Sequence, residues 1–438
     1  MERRGDKMNY KEALSYINDK NKFGSRLGLD TIGKLLDLLG NPHLDMDYIH
    51  IGGTNGKGST ASYIATVLGE AGYKVGLFTS PFLERFNERI SINGKDIPDD
   101  RLADITKRVK DKIEIMLKEG YEHPTTFEIV TTIAFVYFKE EQVDYVVLEV
   151  GLGGRSDSTN VIKNSLASVI TTIDYDHIDV LGDTLGKIAY EKAGIIKENG
   201  IVISYPQHRE ALEVLERVAS EKQAKLFTCP MDKVKINRLD EYGAVFDFQF
   251  KGRVYEDIEI SLLGEYQVYN AVLAIYTILT LRDRECIHIT EKEIRDGLKK
   301  TKWKGRLEII SRNPTFLIDG AHNLQGVNNL AKNLNLFNYN RLILGMGILK
   351  DKDVEHMVEV LSPLADQIVI TEVNMPRKMD AYALEKIINK YNKNTFIEKD
   401  IEKAIGKTFE LADEDDLIVF AGSLYLIGDV RRILTQNK

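Results

Sequence analysis

Short apolar runs alternate along the first half of the chain with stretches whose apolar residues recur at helical spacing. Met46 to Gly52 (MDYIHIG), Lys74 to Thr79 (KVGLFT), Asp144 to Val150 (DYVVLEV), Leu166 to Ile173 (LASVITTI) and Gly200 to Ser204 read as strands. Asp144 to Val150 and Leu166 to Ile173 are rich in β-branched residues, which suits strands buried on both faces. Ser59 to Ala71, Pro124 to Lys139 and Asp183 to Lys197 read as helices, the last with Asp183 or Thr184 near its N-cap. Such alternation predicts a mostly parallel sheet with helices on both faces. From about Lys233 to Ser261 the period changes to two. Phe246, Phe248 and Phe250 fall on one face and Lys251-Gly252 offers a turn, which predicts a small antiparallel section. Asn270 to Leu281 returns to helical spacing.

The stretch Gly297 to Arg306 (GLKKTKWKGR) is basic, lacks an apolar face and reads as a domain boundary. A second alternating series follows, with strands at Thr315 to Ile318, Arg341 to Met346, Gln367 to Thr371, Thr395 to Ile397 and Leu417 to Ala421. The expected organisation is a first domain over 1–298, a linker over 299–303 and a smaller doubly wound domain over 304–438. Two α/β domains on a short linker create a cleft, a preferred place for ligands.

Composition narrows the class. Of 438 residues, 43% are hydrophobic and 29% charged, which excludes wholesale disorder and a fibrous fold. The balance of 59 Lys+Arg against 67 Asp+Glu gives −8, which disfavours general nucleic-acid binding. No run approaches ~20 uninterrupted apolar residues, so no membrane span is expected. The start MERRGDKMNYKEAL has no apolar run behind its basic residues, so no secretory signal is expected either. Cys229 and Cys286 form neither a disulfide framework nor a CxxC zinc pair, which points to a reducing cytoplasm.

The strongest chemical signal is Gly52-Gly53-Thr54-Asn55-Gly56-Lys57-Gly58-Ser59-Thr60, between a predicted strand and a predicted helix. Glycines let backbone amides turn toward phosphate oxygens, the helix N-terminus and Lys57 add positive charge, and a hydroxyl can reach Mg²⁺. The spacing departs from GxxxxGK[ST], and a ligand-free glycine turn is the bland alternative. The fold class is therefore α/β: a P-loop-containing, doubly wound, mostly parallel sheet with a small antiparallel section, plus a smaller C-terminal Rossmann-like domain. Glu149 ends the buried strand DYVVLEV, where open α/β sheets place ligands, and suits a hard-cation ligand. Asp174-Tyr175-Asp176-His177 and Ser80-Pro81 end other strands of the same rim. Lys192 lies on a helix, and its residue type alone does not single it out. In the second domain Asp319-Gly320-Ala321-His322-Asn323 follows a strand directly. Arg306 lies just after the linker, and Gly422-Ser423-Leu424-Tyr425 follows the last strand.

TNGKGS, TSPF, EVGLGGRSDSTN, DYDH, EKAGIIK, DGAHN, GILKDKD and GSLYLIG occur in this order between about Asn21 and Val430. Together they resemble the folylpolyglutamate synthase/dihydrofolate synthase family of Mur-ligase-like ATP-dependent amide ligases. Only about fifty residues precede the P-loop, so the N-terminal domain of the UDP-sugar-binding Mur ligases is not expected. Leu324 stands where the family usually has Pro, and Phe82 where many relatives have His.

The resemblance implies ATP-dependent addition of L-glutamate to dihydropteroate or reduced folates through an acyl phosphate, with two Mg²⁺ ions, by a cytoplasmic monomer. It assigns Asn55, Gly56, Lys57, Gly58 and Ser59 to the triphosphate, Asn270 to the adenine side, and Arg306 and Asp319 to ATP near the domain junction. Ser80 and Glu149 would hold one Mg²⁺, and His177 with a carbamylated Lys192 the other. Leu27, Gly28, Leu29, Thr125, Thr126, Phe127, Glu128, Ser156, Asp157 and Ser158 would face the pterin, with Phe127 stacking on it. His322 and Ser423 would face glutamate; Lys57, His177, Lys192, Asp319 and His322 form the catalytic set. Two other readings remain at this point: a ligase for a different acid, and a P-loop protein that uses nucleotide as a switch.

Overall fold

The computed structural model of the chain describes residues 7–19 and 28–436. Its contacts divide the chain into two compact units, one of 1–234, 248–255 and 269–301 and the other of 235–247, 256–268 and 302–438.

The first unit is built on an eight-stranded sheet. In spatial order the strands are Lys95–Asp96, Ile90–Ile92, Val75–Phe78, Tyr145–Glu149, Asp47–Gly52, Ala167–Ile170, Ile201–Ser204 and Lys225–Thr228. The pairings from Val75–Phe78 to Lys225–Thr228 are parallel, and the two short strands at the other edge pair antiparallel. Asp47–Gly52 is buried from its second residue onward, as a strand between two parallel neighbours must be. The helices Asp99–Lys118 and Thr126–Glu140 pack in one apolar cluster, and Leu185–Lys192 with Arg209–Glu221 in another. The register pairs Ile51 with Glu149 and Gly52 with Ile170, so the glycine-rich turn leaves the sheet beside the carboxylate.

The second unit carries a six-stranded sheet in the order Glu308–Arg312, Thr315–Ile318, Leu417–Ala421, Leu342–Met346, Gln367–Ile370 and Thr395–Ile397. Five strands are parallel, and Glu308–Arg312 pairs antiparallel with the next strand. The predicted antiparallel section is a three-stranded sheet of Val234–Asp240, Gly243–Phe250 and Arg253–Ile260. Phe246, Phe248 and Phe250 are buried as the alternation requires. Lys251 and Gly252 both take positive φ, 47° and 83°, the pattern of a two-residue hairpin turn.

The helix Glu291–Lys300 runs into the basic stretch as far as Lys300, so the first two residues of the expected linker 299–303 are helical. Ile294, Gly297 and Leu298 are buried there, and Gly297 lies directly against the Val67 backbone. The basic window began in mid-helix and so cut off half of its apolar face. The helix read from Asn270 starts earlier, at Glu265, which puts Asn270 in its second turn.

Candidate active site

The turn after Asp47–Gly52 is held by the neighbouring strand end. Thr54 N–H donates to the Thr172 carbonyl at 2.6 Å, and the Thr54 hydroxyl donates to the Asp174 carbonyl at 3.0 Å while accepting from Asp174 N–H at 3.1 Å. These bonds bring the DYDH segment beside the P-loop. Gly53 and Gly56 have φ of 142° and 86°, a region that penalises any side chain. A Cβ at Gly56 would also run into the Asn270 side chain, so Asn270 lies against this turn. The helix Lys57–Glu70 starts at the turn with Gly58, Ser59 and Thr60 buried.

Lys57 Nζ donates to the carbonyls of Gly53 and Thr54 at 3.2 and 3.0 Å. Lys192 Nζ donates to the same Gly53 carbonyl at 2.8 Å and is 3% exposed, against the usual solvated fate of a helix lysine. Burial pushes its pKa down to about 7, helped by the Lys57 charge and opposed by Asp176. Glu149 is buried, and Ser80 N–H donates to its carboxylate at 3.2 Å. His177 occupies the N-cap position of the short helix Ile178–Leu181 at φ 49°, with its side chain about half exposed.

Among the described residues no three His, Cys, Asp or Glu side chains gather as a metal cage. A Mg²⁺ that keeps waters and phosphate oxygens needs only one or two protein ligands, and the adjoining hard-oxygen groups of Ser80 and Glu149 fit that demand. An unmodified Lys192 amine does not fit a cation; its carbamate would.

Of the residues expected to face the pterin, Leu27 lies outside the described residues. Gly28 is exposed and Leu29 half-buried. Thr125 and Glu128 form the capping box of the helix Thr126–Glu140: Thr125 N–H and hydroxyl donate to Glu128 Oε2 at 2.7 and 2.9 Å. The Thr126 hydroxyl donates to the Ile17 carbonyl at 3.2 Å. Phe127 is half-buried against Gly151, its ring 6.0 Å from that of Phe78. Asp157 is buried and accepts from Leu152 N–H at 2.9 Å and Thr159 N–H at 3.0 Å, so it organises the loop that carries Ser156 and Ser158.

In the second unit the Asp319 carboxylate accepts from the N–H groups of Leu307 and Ala321, both at 2.8 Å. Burial raises its pKa; the Arg306 guanidinium opposes the rise. Arg306 lies against Gly320, where any Cβ would overlap it. His322 Nδ1 donates to the Gly320 carbonyl at 2.8 Å. Ser423 is buried where the last strand meets the helix Leu424–Gln436. The helix after DGAHN starts at Leu324 despite the missing Pro, because the Asn323 side chain caps it at Gly326 N–H, 2.8 Å. Sequence reasoning passed over Tyr266, whose hydroxyl feels the charges of Asp319 and Arg306, and over the Gly53 carbonyl. No residue-type signal marks either; only the fold brings Tyr266 to Asp319 and Arg306, and the Gly53 carbonyl to Lys57 and Lys192.

Residues 51–278 match the Mur ligase middle domain, and residues 305–424 the Mur ligase glutamate ligase domain. The dihydrofolate synthase/folylpolyglutamate synthase of Bacillus subtilis (strain 168) is 38% identical over 432 residues, 97% of this chain and 99% of its own length. The folylpolyglutamate synthase of Mycobacterium tuberculosis, complexed with ADP and AMPPCP, superposes with a TM-score of 0.89 at 31% identity over 98% of this chain and 99% of its own. The E. coli FolC structure in complex with DHPP and ADP superposes with a TM-score of 0.86 at 27% identity over 98% of each chain. No helix among the described residues is long and apolar enough to cross a membrane.

Proposed function

Because this chain belongs to the Mur ligase family, among its dihydrofolate synthases and folylpolyglutamate synthases, we propose that it is an ATP-dependent ligase that adds L-glutamate to dihydropteroate, to the γ-carboxylate of tetrahydrofolates, or to both. The substrate carboxylate attacks the γ-phosphorus of ATP and forms an acyl phosphate with loss of ADP. The α-amine of glutamate then attacks the acyl carbon, loses a proton and expels phosphate, leaving an amide. Such chemistry asks mainly for positioning and charge neutralisation.

Asn55, Gly56, Lys57, Gly58 and Ser59 bind the triphosphate, with Asn270 on the adenine side and Arg306 and Asp319 as further ATP contacts. Ser80 and Glu149 hold a Mg²⁺, which supplies charge neutralisation on the phosphates. Carbamylated Lys192 with His177 would hold a second ion. The support is a buried amine pushed to about 7, so that its neutral, CO₂-reactive form is available near pH 7. Phe127, Ser156 and Ser158 face the pterin, and His322 and Ser423 the incoming glutamate. The enzyme works as a monomer in the cytoplasm, where Cys229 and Cys286 stay free thiols.

The observation that carries this reading is the convergence of Lys57 and Lys192 on the Gly53 carbonyl at the mouth of the glycine-rich turn. The test is purified protein with ATP, Mg²⁺, labelled glutamate and either dihydropteroate or a tetrahydrofolate, with products separated by mass. A glutamyl adduct formed only with ATP present is expected. ATP hydrolysis without any adduct from either acid would refute the proposal. Gel filtration with light scattering tests the monomer.

A further inference from the structure

A buried polar chain runs from the central strand of the first unit to the loop between Leu152 and Thr159. His50 sits in mid-strand, paired in register with Leu148 on one side and Ser168 on the other, and is 0% exposed. Its Nε2 lies 2.9 Å from the Thr159 hydroxyl oxygen. That hydroxyl has one hydrogen, and it donates it to Asp157 Oδ1 at 2.5 Å. It therefore accepts from His50 Nε2–H, which fixes the tautomer and leaves Nδ1 unprotonated, buried and without a hydrogen-bond partner. A charged imidazole would bury a second donor with nothing to receive it. Burial accordingly drives the His50 pKa well below the ordinary value, with the Lys197 charge adding to the effect.

The chain continues through both Asp157 oxygens. Oδ1 also takes Thr159 N–H at 3.0 Å, and Oδ2 takes Leu152 N–H at 2.9 Å. One carboxylate thus ties the start of the loop to its end, around Ser156 and Ser158, and His50 ties that carboxylate to the sheet. The ligation chemistry itself makes no use of His50.

We propose that His50 is a positioning residue for the pterin-bearing substrate, acting through Thr159 and Asp157 to hold the loop Leu152–Thr159 in the form that presents Ser156 and Ser158. This rests on the reading that these serines face the pterin. A rigid, uncharged donor suits that role, because it bonds to the hydroxyl without bringing a charge into the core.

The test uses His50→Leu, which removes the donor at similar volume, and His50→Gln, whose amide can still donate. Thr159→Val and Thr159→Ser cut and keep the same link from its other end should the His50 variants fold poorly. In His50→Leu and Thr159→Val the KM for the pterin substrate should rise about ten-fold, as for one lost hydrogen bond, with the KM for ATP within about two-fold. Hydrogen exchange at the Leu152 and Thr159 amides should quicken, and both effects should be largely reversed in His50→Gln and Thr159→Ser. Folded His50→Leu and Thr159→Val with an unchanged pterin KM, or with the ATP KM rising in step, would overturn the proposal. The subsite reading stands or falls separately on Phe127→Ala, whose pterin KM should rise whatever the state of the His50 link.

Discussion

Two amines meet at one carbonyl oxygen, that of Gly53, with Lys57 Nζ at 3.2 Å and Lys192 Nζ at 2.8 Å. Burial, with the charge of Lys57 adding to it, depresses Lys192 to about 7. Their roles should separate on substitution. Lys57→Ala should leave the fold intact and lower kcat by roughly 10²–10³, the usual effect of removing a group that neutralises transition-state charge. Near-parental turnover at saturating ATP would contradict that role. Lys192→Ala should also lose most activity, and bicarbonate should not restore it. Native mass spectrometry of the parent protein under CO₂ should find a labile carbamate that Lys192→Ala lacks. Lys57 was legible from its glycines and its place after a strand. Lys192 was legible only through the family resemblance of EKAGIIK: by residue type it looks like any surface lysine until Leu185–Lys192 turns it inward. His50 was hidden for the same reason, since its partner Thr159 lies 109 positions away.

Elements were legible wherever local pattern and tertiary demand agreed. The central strands, the hairpin at Lys251-Gly252 and the helix after the P-loop all follow from residues a few positions apart. Glu308–Arg312 did not, because five residues with one bulge show no clear period, and the strand exists through its pairing with Thr315–Ile318. The start of Glu265–Arg282 was missed because its first residues, EYQVY, are largely polar and aromatic. Thr126–Glu140 offers a test at this scale. Its N-cap, Thr125, accepts Glu128 N–H at 3.3 Å and donates to the Glu128 carboxylate. The helix is buried from Glu128 to Phe138, so fraying at its start would loosen the core. Thr125→Ala should lower stability by about 1 kcal/mol, within a range of roughly 0.5–2, while Thr125→Ser should stay within a few tenths of the parent. Urea midpoints of the three proteins decide it. Equal loss in both variants would mean that the methyl group, not the cap, matters.

Across the whole molecule, buried ionisable groups of the first unit set the pH at which the fold is strongest. Burial depresses His43 to about 4, with Lys163 adding to the effect, and it lowers His50 still more clearly. Both stay neutral in the fold while the unfolded chain takes up protons near pH 6.5. Their contribution is therefore complete above about pH 6.5 and is lost as pH falls below it. Lys192 and Lys197, depressed by burial to about 7 and about 8, carry the same sign over a higher window. Between those values and about 10.5 the unfolded chain holds protons that the fold does not, so stability rises with pH. Tyr145, pushed up to about 12 by burial, and Tyr48, raised further, reverse the slope above about pH 10. Each fully shifted group changes stability by at most about 1.4 kcal/mol per pH unit within its window. The carboxylates held low by arginine or lysine partners, such as Glu140 and Glu372, act only below about pH 4.5, whereas Asp157 and Asp319, raised by burial, add a slope of the opposite sign above about pH 3.8. The urea midpoint of the ligand-free protein, followed by far-UV circular dichroism, should climb from pH 5 through 7 to 9 and fall by pH 11. Lys192→Met should flatten the rise between pH 7 and 9, and His43→Phe the fall below pH 6.5. A midpoint that is level or falling from pH 5 to 9 would mean that these groups gain solvent or partners in solution, and with them would go the buried, neutral Lys192 on which its carbamate depends.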